Sequence, residues 1–453
     1  MAVSTSYALE IVKYLPHKNC GDCGEPLCIS FASKLIGGKK DIKDCPHLTS
    51  NDVAMLEKLY QPPVKEIKIG IGNKIISIGG ERVSYRHMLR FFNPTAIAII
   101  FDDSMSPDDL NKKLAKINNL IFERVGEKIS INLIAIRSVS KSPTTFANTV
   151  KNVKSNSNFP LALFSYDPII MAAGLDVAGD EKPLICMATP DNWKAMADLA
   201  KKHNCPLAVE AQVKDLENLI SKIESNGFDN IVLAPKSISS SKYSARLEDL
   251  AFIRNMAISE RKLGYPTMAY PTNHLSEAQE IAWASAGLAK YASLVFTNVY
   301  EPYAILPLLT FRQNIFSDPT VPATVNEGLY IEGKPNEKSP VMLTVNFAMT
   351  YAMVSADIRS ANISSYILVA NSSGYAVGVS VLLKTVTGNN IAALIDSSGL
   401  RDKVKHGYLI IPGLMEPLKK EFEDATKREV LVGPIDSRFI PRFMSDVWNK
   451  LPV

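Results

Sequence analysis

With 453 residues, the chain is long enough for two or three domains, and its 46% hydrophobic and 21% charged residues are ordinary for a globular protein. A net charge of +4, with no basic run interleaved with aromatic residues, gives no reason to expect nucleic acid as a partner. The longest apolar runs are strand-sized and too short to span a bilayer, and no targeting segment is visible, so we expect a cytoplasmic protein without membrane contacts.

The stretch from Asn19 to His47 carries the most specific pattern in the chain. It holds four of the six cysteines, separated by two, four and sixteen residues: Cys20, Cys23, Cys28 and Cys45. Pro26 is expected to open a helix that runs through Phe31 and Leu35 and that Gly37 and Gly38 end. Four thiolates that converge from a loop, a helix start and a return segment predict a closed metal site.

Three kinds of cysteine site fit this spacing. Disulfides need an oxidising compartment, and no apolar N-terminal signal indicates one. Structural zinc usually takes two short C-x2-C knuckles, and the second knuckle is missing here. A 4Fe–4S cubane fits best, because three thiolates lie on one loop and the fourth comes from a distance. The flanking His17 and His47 are interpreted as solvated, and Cys186 and Cys205, inside apolar runs, as buried inert thiols.

Two small regions precede the main body of the chain. Residues 1–60 are predicted to form a module around the cysteines, with a short amphipathic helix on each side of the site. Residues 61–94 are predicted to be a connector. Its apolar runs at Ile67–Ile69 and Ile75–Ile78 straddle Gly70, Gly72 and Asn73, which is typical of a β-hairpin.

From residue 95 to residue 316, strand-like and helical patterns alternate eight times. The predicted strands are Ala96–Phe101, Ile129–Ile136, Leu161–Phe164, Leu184–Ala188, Pro206–Val209, Ile231–Leu233, Thr267–Ala269 and Leu294–Phe296. The helical patterns are Leu110–Glu123, Phe146–Val153, Ile169–Ala178, Trp193–Lys202, Leu216–Ser225, Leu247–Lys262, Ala278–Tyr291 and Tyr303–Phe311. Eight βα units favour a closed TIM barrel over a doubly wound open sheet.

Polar residues follow the predicted barrel strands, where such barrels carry their function. They are Asp102, Asp103, Arg137, Asp167, Thr189, Glu210, Lys236, Asn273 and Asn298. They match no recognisable catalytic set, and no phosphate-binding glycine loop follows the last strands. The barrel is therefore interpreted as a scaffold or docking surface, with an active site as the alternative.

A polar stretch punctuated by proline and glycine, residues 317–340, is predicted to be a linker or a short hairpin. Residues 341–453 then predict a second α/β domain with strands at Val341–Val345, Tyr366–Val369, Tyr408–Ile411 and Val430–Val432. Helices are predicted at Phe347–Ile358, Tyr375–Lys384, Asn390–Ser398 and Pro417–Ala425. Each strand is followed by small or turn-forming residues, which favours a broad, flat ligand over the sheet edge; ordinary tight turns are the alternative. No GxGxxG fingerprint is present, so a dinucleotide is disfavoured.

Six segments, in order along the chain, resemble the large (gamma) subunit of the corrinoid/iron–sulfur protein in the acetyl-CoA decarbonylase/synthase system of anaerobes. They are K-Y-L-P-H-K-N-C-G-D-C-G-E-P-L-C, I-G-G-E-R-V-S-Y-R-H, Y-E-P-Y-A-I-L-P, V-N-F-A-M-T-Y, I-I-P-G-L and V-L-V-G-P-I-D-S. The resemblance covers essentially the whole chain. It implies an α/β protein with a small N-terminal 4Fe–4S module, a central TIM barrel and a C-terminal Rossmann-like corrinoid-binding domain.

The resemblance implies a methyl carrier, a component of a methyl-tetrahydropterin:corrinoid/iron–sulfur protein Co-methyltransferase. A cobalamin-type corrinoid would accept a methyl group on Co(I) from a methyl-tetrahydropterin or methyl-tetrahydrofolate. It would pass that group to the nickel cluster of acetyl-CoA synthase, or run in reverse. The cluster held by the four cysteines would reduce accidentally formed Co(II). The small (delta) subunit would be the partner in a heterodimer.

Carried over by motif, the resemblance assigns corrinoid contacts to Thr344, Asn346, Gly374, Val377, Ser380, Pro412, Gly413, Gly433, Pro434, Asp436 and Ser437. Related domains often carry D-x-H-x-x-G, whose histidine binds cobalt. None of the six histidines here stands in that motif, and His406 in D-K-V-K-H-G has the wrong spacing. A base-off corrinoid without a protein axial histidine is therefore expected. The family's acidic D-T-x-G is replaced by Asn371-Ser372-Ser373-Gly374, which leaves Ser380 as a weak stand-in beneath the corrin.

Two other functions remain compatible with the residues. One is an iron–sulfur electron-transfer subunit without bound corrinoid, with the barrel and the C-terminal domain as docking domains. The other is a zinc-stapled assembly subunit with no chemistry of its own.

Overall fold

The structure, a computed structural model, describes residues 8–38, 40–125, 127–236, 243–271, 275–318 and 322–452. They fall into two compact units. One comprises Met1–Phe122 and Ile129–Ser317, and the other comprises Glu123–Lys128 and Asp318–Val453. None of the helices in the described ranges is long and apolar enough to cross a membrane.

The cysteine region folds around two helices, α1 (Cys28–Ile36) and α2 (Ser50–Tyr60). Their buried side chains, among them Phe31, Leu35 and Leu56, share one small core with Ile11. The prediction that Pro26 opens the first helix was wrong, because α1 begins at Cys28 after an extended Leu27. The predicted stop is confirmed: Gly37 caps α1, and Gly38 has a left-handed backbone (φ +66°).

The predicted hairpin forms from β1 (Ile67–Ile69) and β2 (Ile76–Ile78), paired antiparallel with Ile67 opposite Ile78. Its inward side chains, Ile67, Ile69 and Ile78, are buried against the first residues of several barrel strands, among them Ala96 and Leu133. The hairpin therefore closes the amino end of the barrel and leaves the carboxyl end as the open mouth.

Eight parallel strands form the barrel wall: β3 (Ala96–Asp102), β6 (Leu133–Arg137), β7 (Leu161–Phe164), β8 (Leu184–Ala188), β9 (Leu207–Ala211), β10 (Ile231–Pro235), β11 (Met268–Ala269) and β12 (Leu294–Thr297). The order around the sheet is β10-β9-β8-β7-β6-β3-β12-β11. A parallel bridge from Leu233 to Thr267 joins the two ends, and the Leu233 N–H donates to the Pro266 carbonyl at 2.8 Å. The barrel prediction is confirmed, and the open-sheet alternative was wrong for this segment.

The helices that cover the wall are α3 (Pro107–Asn118), α4 (Pro143–Asn156), α5 (Pro168–Ala178), α6 (Trp193–His203), α7 (Val213–Ser225), α8 (Tyr243–Glu260), α9 (Glu277–Ala289) and α10 (Pro302–Phe316). Two predictions were wrong between β3 and β6. Helix α3 ends at Asn118 instead of reaching Glu123, and the residues after it form a hairpin, β4 (Ile121–Arg124) with β5 (Glu127–Ser130). The side chains of β4 alternate between exposed and partly buried, the two-residue period of a strand. The predicted single strand Ile129–Ile136 was wrong, because it combined the last residues of β5 with the barrel strand β6.

The second unit contains a five-stranded sheet of β13 (Gly328–Glu332), β14 (Val341–Val345), β15 (Ser365–Ala370), β16 (Tyr408–Ile411) and β17 (Glu429–Val432). The order is β13-β15-β14-β16-β17, and only β13 runs antiparallel. Its helices are α11 (Ala348–Ser360), α12 (Val377–Leu382), α13 (Gly388–Ser397), α14 (Leu400–Lys403), α15 (Lys419–Thr426) and α16 (Ile440–Asp446). Strand β13 lies in the stretch predicted to be a linker, so that stretch contributes a packed edge strand instead.

Separate hydrophobic clusters cover the two faces of this sheet. One includes Leu343 with Ile391 of α13, and the other includes Met342 with Ile440 of α16. Strands β15 and β16 lie on opposite sides of β14, so the chain reverses its direction of winding there. In open α/β sheets, the carboxyl ends of strands at such a reversal form a crevice in which ligands bind.

Candidate metal centre and ligand cavity

The structure brings the four N-terminal cysteines together. Cys20, Cys23, Cys28 and Cys45 all line one small cavity, which Leu15 and Phe31 also line. All six cysteines of the chain lie in the described ranges and are free thiols, so the disulfide alternative is not supported. Cys186 and Cys205 are fully buried, as predicted, and burial raises the pKa of the Cys205 thiol to about 12.

Left-handed backbone folds the cysteine loop tightly. Gly21 and Gly24 have φ of +82° and +79°, and the Gly24 N–H donates to the Gly21 carbonyl at 2.8 Å. Asn19, also left-handed at φ +47°, accepts a hydrogen bond from the Cys28 N–H on its side-chain oxygen at 2.8 Å. Glycine and asparagine adopt this conformation at the lowest cost, so these positions depend on the residue types present.

Four ionised cysteines are disfavoured in this cavity unless cations bind between them. Burial raises the pKa of the Cys45 thiol, and the neighbouring Cys23, Cys28 and Cys20 raise it further. Like charges at short range disfavour ionisation, so four thiolates can coexist here only if bound cations neutralise them. The structure thus fits a bound metal centre, and a donor set of four sulfurs suits either a single zinc ion or an iron–sulfur cluster.

His47 is not simply solvated, contrary to its interpretation from sequence. Its Nε2 lies 2.6 Å from Oδ2 of Asp22, and its Nδ1 lies 3.3 Å from Nζ of Lys18. The Cys20 sulfur, an Asp22 oxygen and a His47 nitrogen all lie within 4.8 Å of one another. Twenty-five residues separate Asp22 from His47, so no sequence pattern could have indicated this contact.

One polar network spans three neighbouring strand ends at the barrel mouth. Arg137 donates to both carboxylate oxygens of Asp102, at 2.7 and 3.0 Å, and to the side-chain oxygen of Asn298 at 3.3 Å. Buried Glu280 in turn accepts from the backbone and the side chain of Asn298. Below this network, Lys113 is buried, and burial lowers its pKa to about 8.

A second network surrounds Glu210, which is also buried. Its carboxylate accepts from the hydroxyls of Tyr166 and Tyr270 and, at 3.4 Å, from Lys236. The remaining predicted strand-end residues have local structural roles. Asp103 accepts from the backbone of Val139 and Ser140, Asp167 caps α5, and Thr189 bonds Asn192. Asn273 lies outside the described residues.

A cavity of about 420 Å³ opens at the carboxyl edge of the second sheet, which is within the range typical of small-molecule sites, about 300–1,000 Å³. The ends of β14 and β16 and the turn after β17 border it. Seven of the eleven residues assigned by the resemblance line it: Thr344, Val377, Pro412, Gly433, Pro434, Asp436 and Ser437. Asn346, Gly374, Ser380 and Gly413 are not in the lining.

Thr344 carries the strongest local sign of a ligand. The residue is 1% exposed, and its Oγ1 has no hydrogen-bond partner in the described structure. A buried hydroxyl without a partner costs about 1–3 kcal/mol. Because Thr344 lines the cavity, a polar group bound there would remove that cost.

The four assigned residues outside the lining stabilise the loops, turns and helix next to the cavity. The side-chain oxygen of Asn346 accepts from Ser372 and Gly374 and so fixes the loop after β15. Gly374 is left-handed, with φ +80°. A Cβ on Gly413 would lie 2.9 Å from the Gly433 carbonyl oxygen, so glycine allows the two turns to touch. The Ser380 hydroxyl is fully buried and donates to the Val377 carbonyl at 2.7 Å.

Sequence reasoning missed the apolar rim of the cavity. Met353, Gly378, Leu414, Ile435 and Phe443 also line it. Three of them are exposed, with 53% of Met353, 44% of Leu414 and 73% of Ile435 accessible to solvent. Apolar side chains on the outward positions of a helix or turn were the available signal, and single cases of this kind are common on protein surfaces.

His406 lies at the amino edge of the second sheet, whereas the cavity opens at the carboxyl edge. It precedes β16, its Nε2 is 2.9 Å from the Ser339 carbonyl oxygen, and its ring packs against Trp448. Burial lowers its pKa. Among the described residues that line the cavity there is no histidine.

Comparison with known proteins gives matches over nearly the whole chain. Residues 66–444 match the protein family described as CO dehydrogenase/acetyl-CoA synthase delta subunit, and residues 15–47 match a family described as a putative Fe–S cluster. The acetyl-CoA decarbonylase/synthase complex subunit gamma of Methanothermobacter thermautotrophicus is 35% identical, over 98% of this chain and 99% of its own. The corrinoid/iron–sulfur protein large subunit of Moorella thermoacetica is 38% identical, over 96% and 97%.

Among solved structures, a dihydropteroate synthase of Xanthomonas albilineans resembles part of the chain. It has a TM-score of 0.40 and 15% identity, covering 56% of this chain and 100% of that one.

Proposed function

The chain belongs to the family of acetyl-CoA decarbonylase/synthase gamma subunits and corrinoid/iron–sulfur protein large subunits, and on that premise we propose that it carries methyl groups on a corrinoid bound at the second sheet. The observation that carries the proposal is the cavity at the carboxyl edge of that sheet, with the partnerless Thr344 hydroxyl on its wall. Its lining is mostly apolar, with polar groups at Thr344, Thr350, Asp436 and Ser437, which suits a large macrocycle with amide side chains.

The residues of this chain fit such a group. Thr344 and Ser437 offer hydroxyls, while the turns at Pro412 and at Gly433-Pro434 bring backbone close to the cavity. Met353 and Ile435 add exposed apolar surface, which a flat ring would cover. A bound corrinoid supplies a cobalt centre that accepts and releases a methyl group. In this proposal the corrinoid is base-off, without an axial histidine from the protein.

We assign the 4Fe–4S cluster to Cys20, Cys23, Cys28 and Cys45, with the convergence of these cysteines on one cavity and the match of residues 15–47 to a putative Fe–S cluster family as support. In this proposal, the cluster is a one-electron reductant that restores cobalt after accidental oxidation. The methyl donor is a methyl-tetrahydropterin or methyl-tetrahydrofolate, and the acceptor is acetyl-CoA synthase. The small (delta) subunit forms the heterodimer, and transfer runs toward acetyl-CoA synthase or in reverse.

Filling the cavity tests the proposal. Gly378 lines the cavity, and the nearest atom to a Cβ added there is a Leu414 methyl at 3.7 Å, so a Gly378→Phe side chain would occupy the ligand space. Gly407→Phe is a matched control, because a Cβ at Gly407 meets nothing within 4 Å and Gly407 is not in the lining.

The assay follows methyl label from methyl-tetrahydropterin onto the reduced, corrinoid-loaded chain in the presence of its complex partners. We expect methyl label on wild type and on Gly407→Phe, and at least a tenfold loss of label on Gly378→Phe. A chain that binds iron but never corrinoid or methyl label would instead be an iron–sulfur electron-transfer subunit.

A further inference from the structure

The four cysteines of the metal centre are not equivalent. Cys23, Cys28 and Cys45 pack against the small core around α1 and α2, whereas Cys20 is exposed and lies outside that core. A cluster bound here would have three corners held by the protein interior and one corner open to solvent at Cys20.

The open corner carries two further ligands that a cubane does not use. Asp22 and His47 meet at 2.6 Å, and each has a ligand atom within 4.8 Å of the Cys20 sulfur and of each other. Asp22 is 53% exposed and His47 28%, so both are accessible to an incoming ion.

We propose that Cys20, Asp22 and His47 form the entry site for the ferrous ion that completes the cluster, a role that rests on the proposed cluster. Thiolate, carboxylate and imidazole together suit a divalent first-row metal, and three protein ligands leave a position open for transfer. Ligands around a tetrahedral ion lie about 3.3–3.8 Å apart at metal–ligand distances near 2.0–2.3 Å. The Asp22–His47 pair must therefore open by less than about 1 Å, and the Cys20 sulfur, which lies within 4.8 Å of both, must approach them by up to about 1.5 Å.

One electron from an added reductant converts the oxidised three-iron cluster, of charge +1, to its neutral form. That form adds Fe²⁺ and becomes a 4Fe–4S cluster of charge +2. The Cys20 thiol loses its proton to solvent when the ion enters, its sulfur stays bonded to that iron as the iron joins the cluster, and Asp22 and His47 then release the ion.

Lys18 opposes this binding. Its ammonium donates to Nδ1 of His47 at 3.3 Å, which leaves Nε2 to donate its proton to Asp22 in the metal-free state. An ion at Nε2 must displace that proton and approach a nearby positive charge. Removal of the ammonium therefore favours ion binding. A variant that lacks the Lys18 ammonium should change the required Fe²⁺ concentration in the opposite direction from a variant that lacks a ligand.

The test measures rebuilding of a three-iron cluster in the full-length chain. Mild oxidation removes the fourth iron, dithionite supplies the electron, and Fe²⁺ is then titrated while the EPR signal of the remaining reduced three-iron cluster is followed in samples frozen without oxygen. For His47→Ala and Asp22→Asn, we expect the Fe²⁺ concentration for half-rebuilding to rise about tenfold or more. For Lys18→Met we expect it to fall.

His17→Asn is the matched control, because His17 is an exposed histidine of the same loop and asparagine tolerates its left-handed backbone (φ +52°). Its titration should equal wild type. Equal Fe²⁺ dependence in His47→Ala, Asp22→Asn and wild type would overturn the proposal. Failure of the proposed function would look different, since a chain without any iron–sulfur signal has no cluster to rebuild.

Discussion

The side-chain oxygen of Asn346, at the end of β14, accepts hydrogen bonds from both the backbone N–H and the hydroxyl of Ser372, each at 2.9 Å. Ser372 is fully buried, and an Asn346→Ala variant leaves the backbone N–H groups of Ser372 and Gly374 without their acceptor, while the Ser372 hydroxyl can still donate to the Tyr375 carbonyl at 2.7 Å. Buried donors left unsatisfied cost about 1–3 kcal/mol. We expect urea unfolding of the second unit to show a loss of stability of that size, with weaker corrinoid retention because the loop borders the site.

Asn371→Ala is the control for this change. Its side-chain oxygen accepts from the Ser373 N–H at 2.9 Å and, at 3.4 Å, from Nδ2 of Asn346, but Asn371 and Ser373 are exposed, so water can replace these bonds. Its stability should stay within about 0.5 kcal/mol of wild type. Similar losses for both asparagines would show that the buried contact does not organise the loop.

Thr344→Val separates the ligand from the fold, because valine keeps the shape of threonine and removes the hydroxyl. In the corrinoid-free chain the variant should be more stable by about 1 kcal/mol, since the wild-type hydroxyl is buried without a partner. In the loaded chain this advantage should vanish or reverse, because the bound group satisfies the hydroxyl. Unfolding of both forms by urea, with Thr344→Ser as the hydroxyl-retaining control, measures the two differences. A valine variant that is less stable without corrinoid would refute the assignment.

Lys113 predicts a pH dependence at alkaline pH. Burial lowers its pKa in the folded chain to about 8 from an ordinary value of 10.5. Below pH 8 both states carry the charge, and the folded state bears the full cost of burying it. Between pH 8 and pH 10.5 the unfolded chain binds more protons, so this residue's contribution to stability rises with pH by up to about 3 kcal/mol.

The measurement compares wild type with Lys113→Met. As the pH rises from 7.5 to 10, the unfolding free energy of wild type should increase relative to that of Lys113→Met. Lys112→Met, at an exposed neighbouring position, should show no such shift. A pH-independent difference for Lys113→Met would mean that the buried amine is not destabilised.

Cys45→Ala tests whether the two sites are independent. Loss of one corner ligand should reduce iron from about four per chain to about three or fewer. Cobalt content should not change, because the proposed corrinoid residues belong to the other compact unit. Metal analysis with Cys205→Ala as the control, which removes a buried thiol outside the cysteine cavity, measures both metals. Parallel loss of cobalt would contradict this independence.

Regular patterns in the sequence predicted most of the architecture. The barrel followed from eight apolar runs, because strands buried on both faces read as continuous hydrophobic segments. Edge strands lack that signal: β13 reads G-L-Y-I-E, with Leu329 and Tyr330 only partly buried and Ile331 exposed, a pattern that predicts a linker or a short hairpin. The β4–β5 hairpin was missed for the same reason, since its alternating polar residues resemble the end of an amphipathic helix.

Site residues fall into two groups. Spacing alone indicated that Cys20, Cys23, Cys28 and Cys45 converge, because the loop is short and a helix returns the chain. Contacts between residues far apart in sequence, such as Asp22 with His47, leave no local pattern. The apolar rim at Met353 and Ile435 was also invisible, since one exposed apolar residue on a helix or turn has no meaning until its neighbours are known.

The most direct test of the methyl-carrier account is the metal content of the full-length chain, purified without oxygen from a host that makes corrinoids. The account predicts about one cobalt and about four iron per chain. Zinc in place of iron, or iron without cobalt, would contradict it.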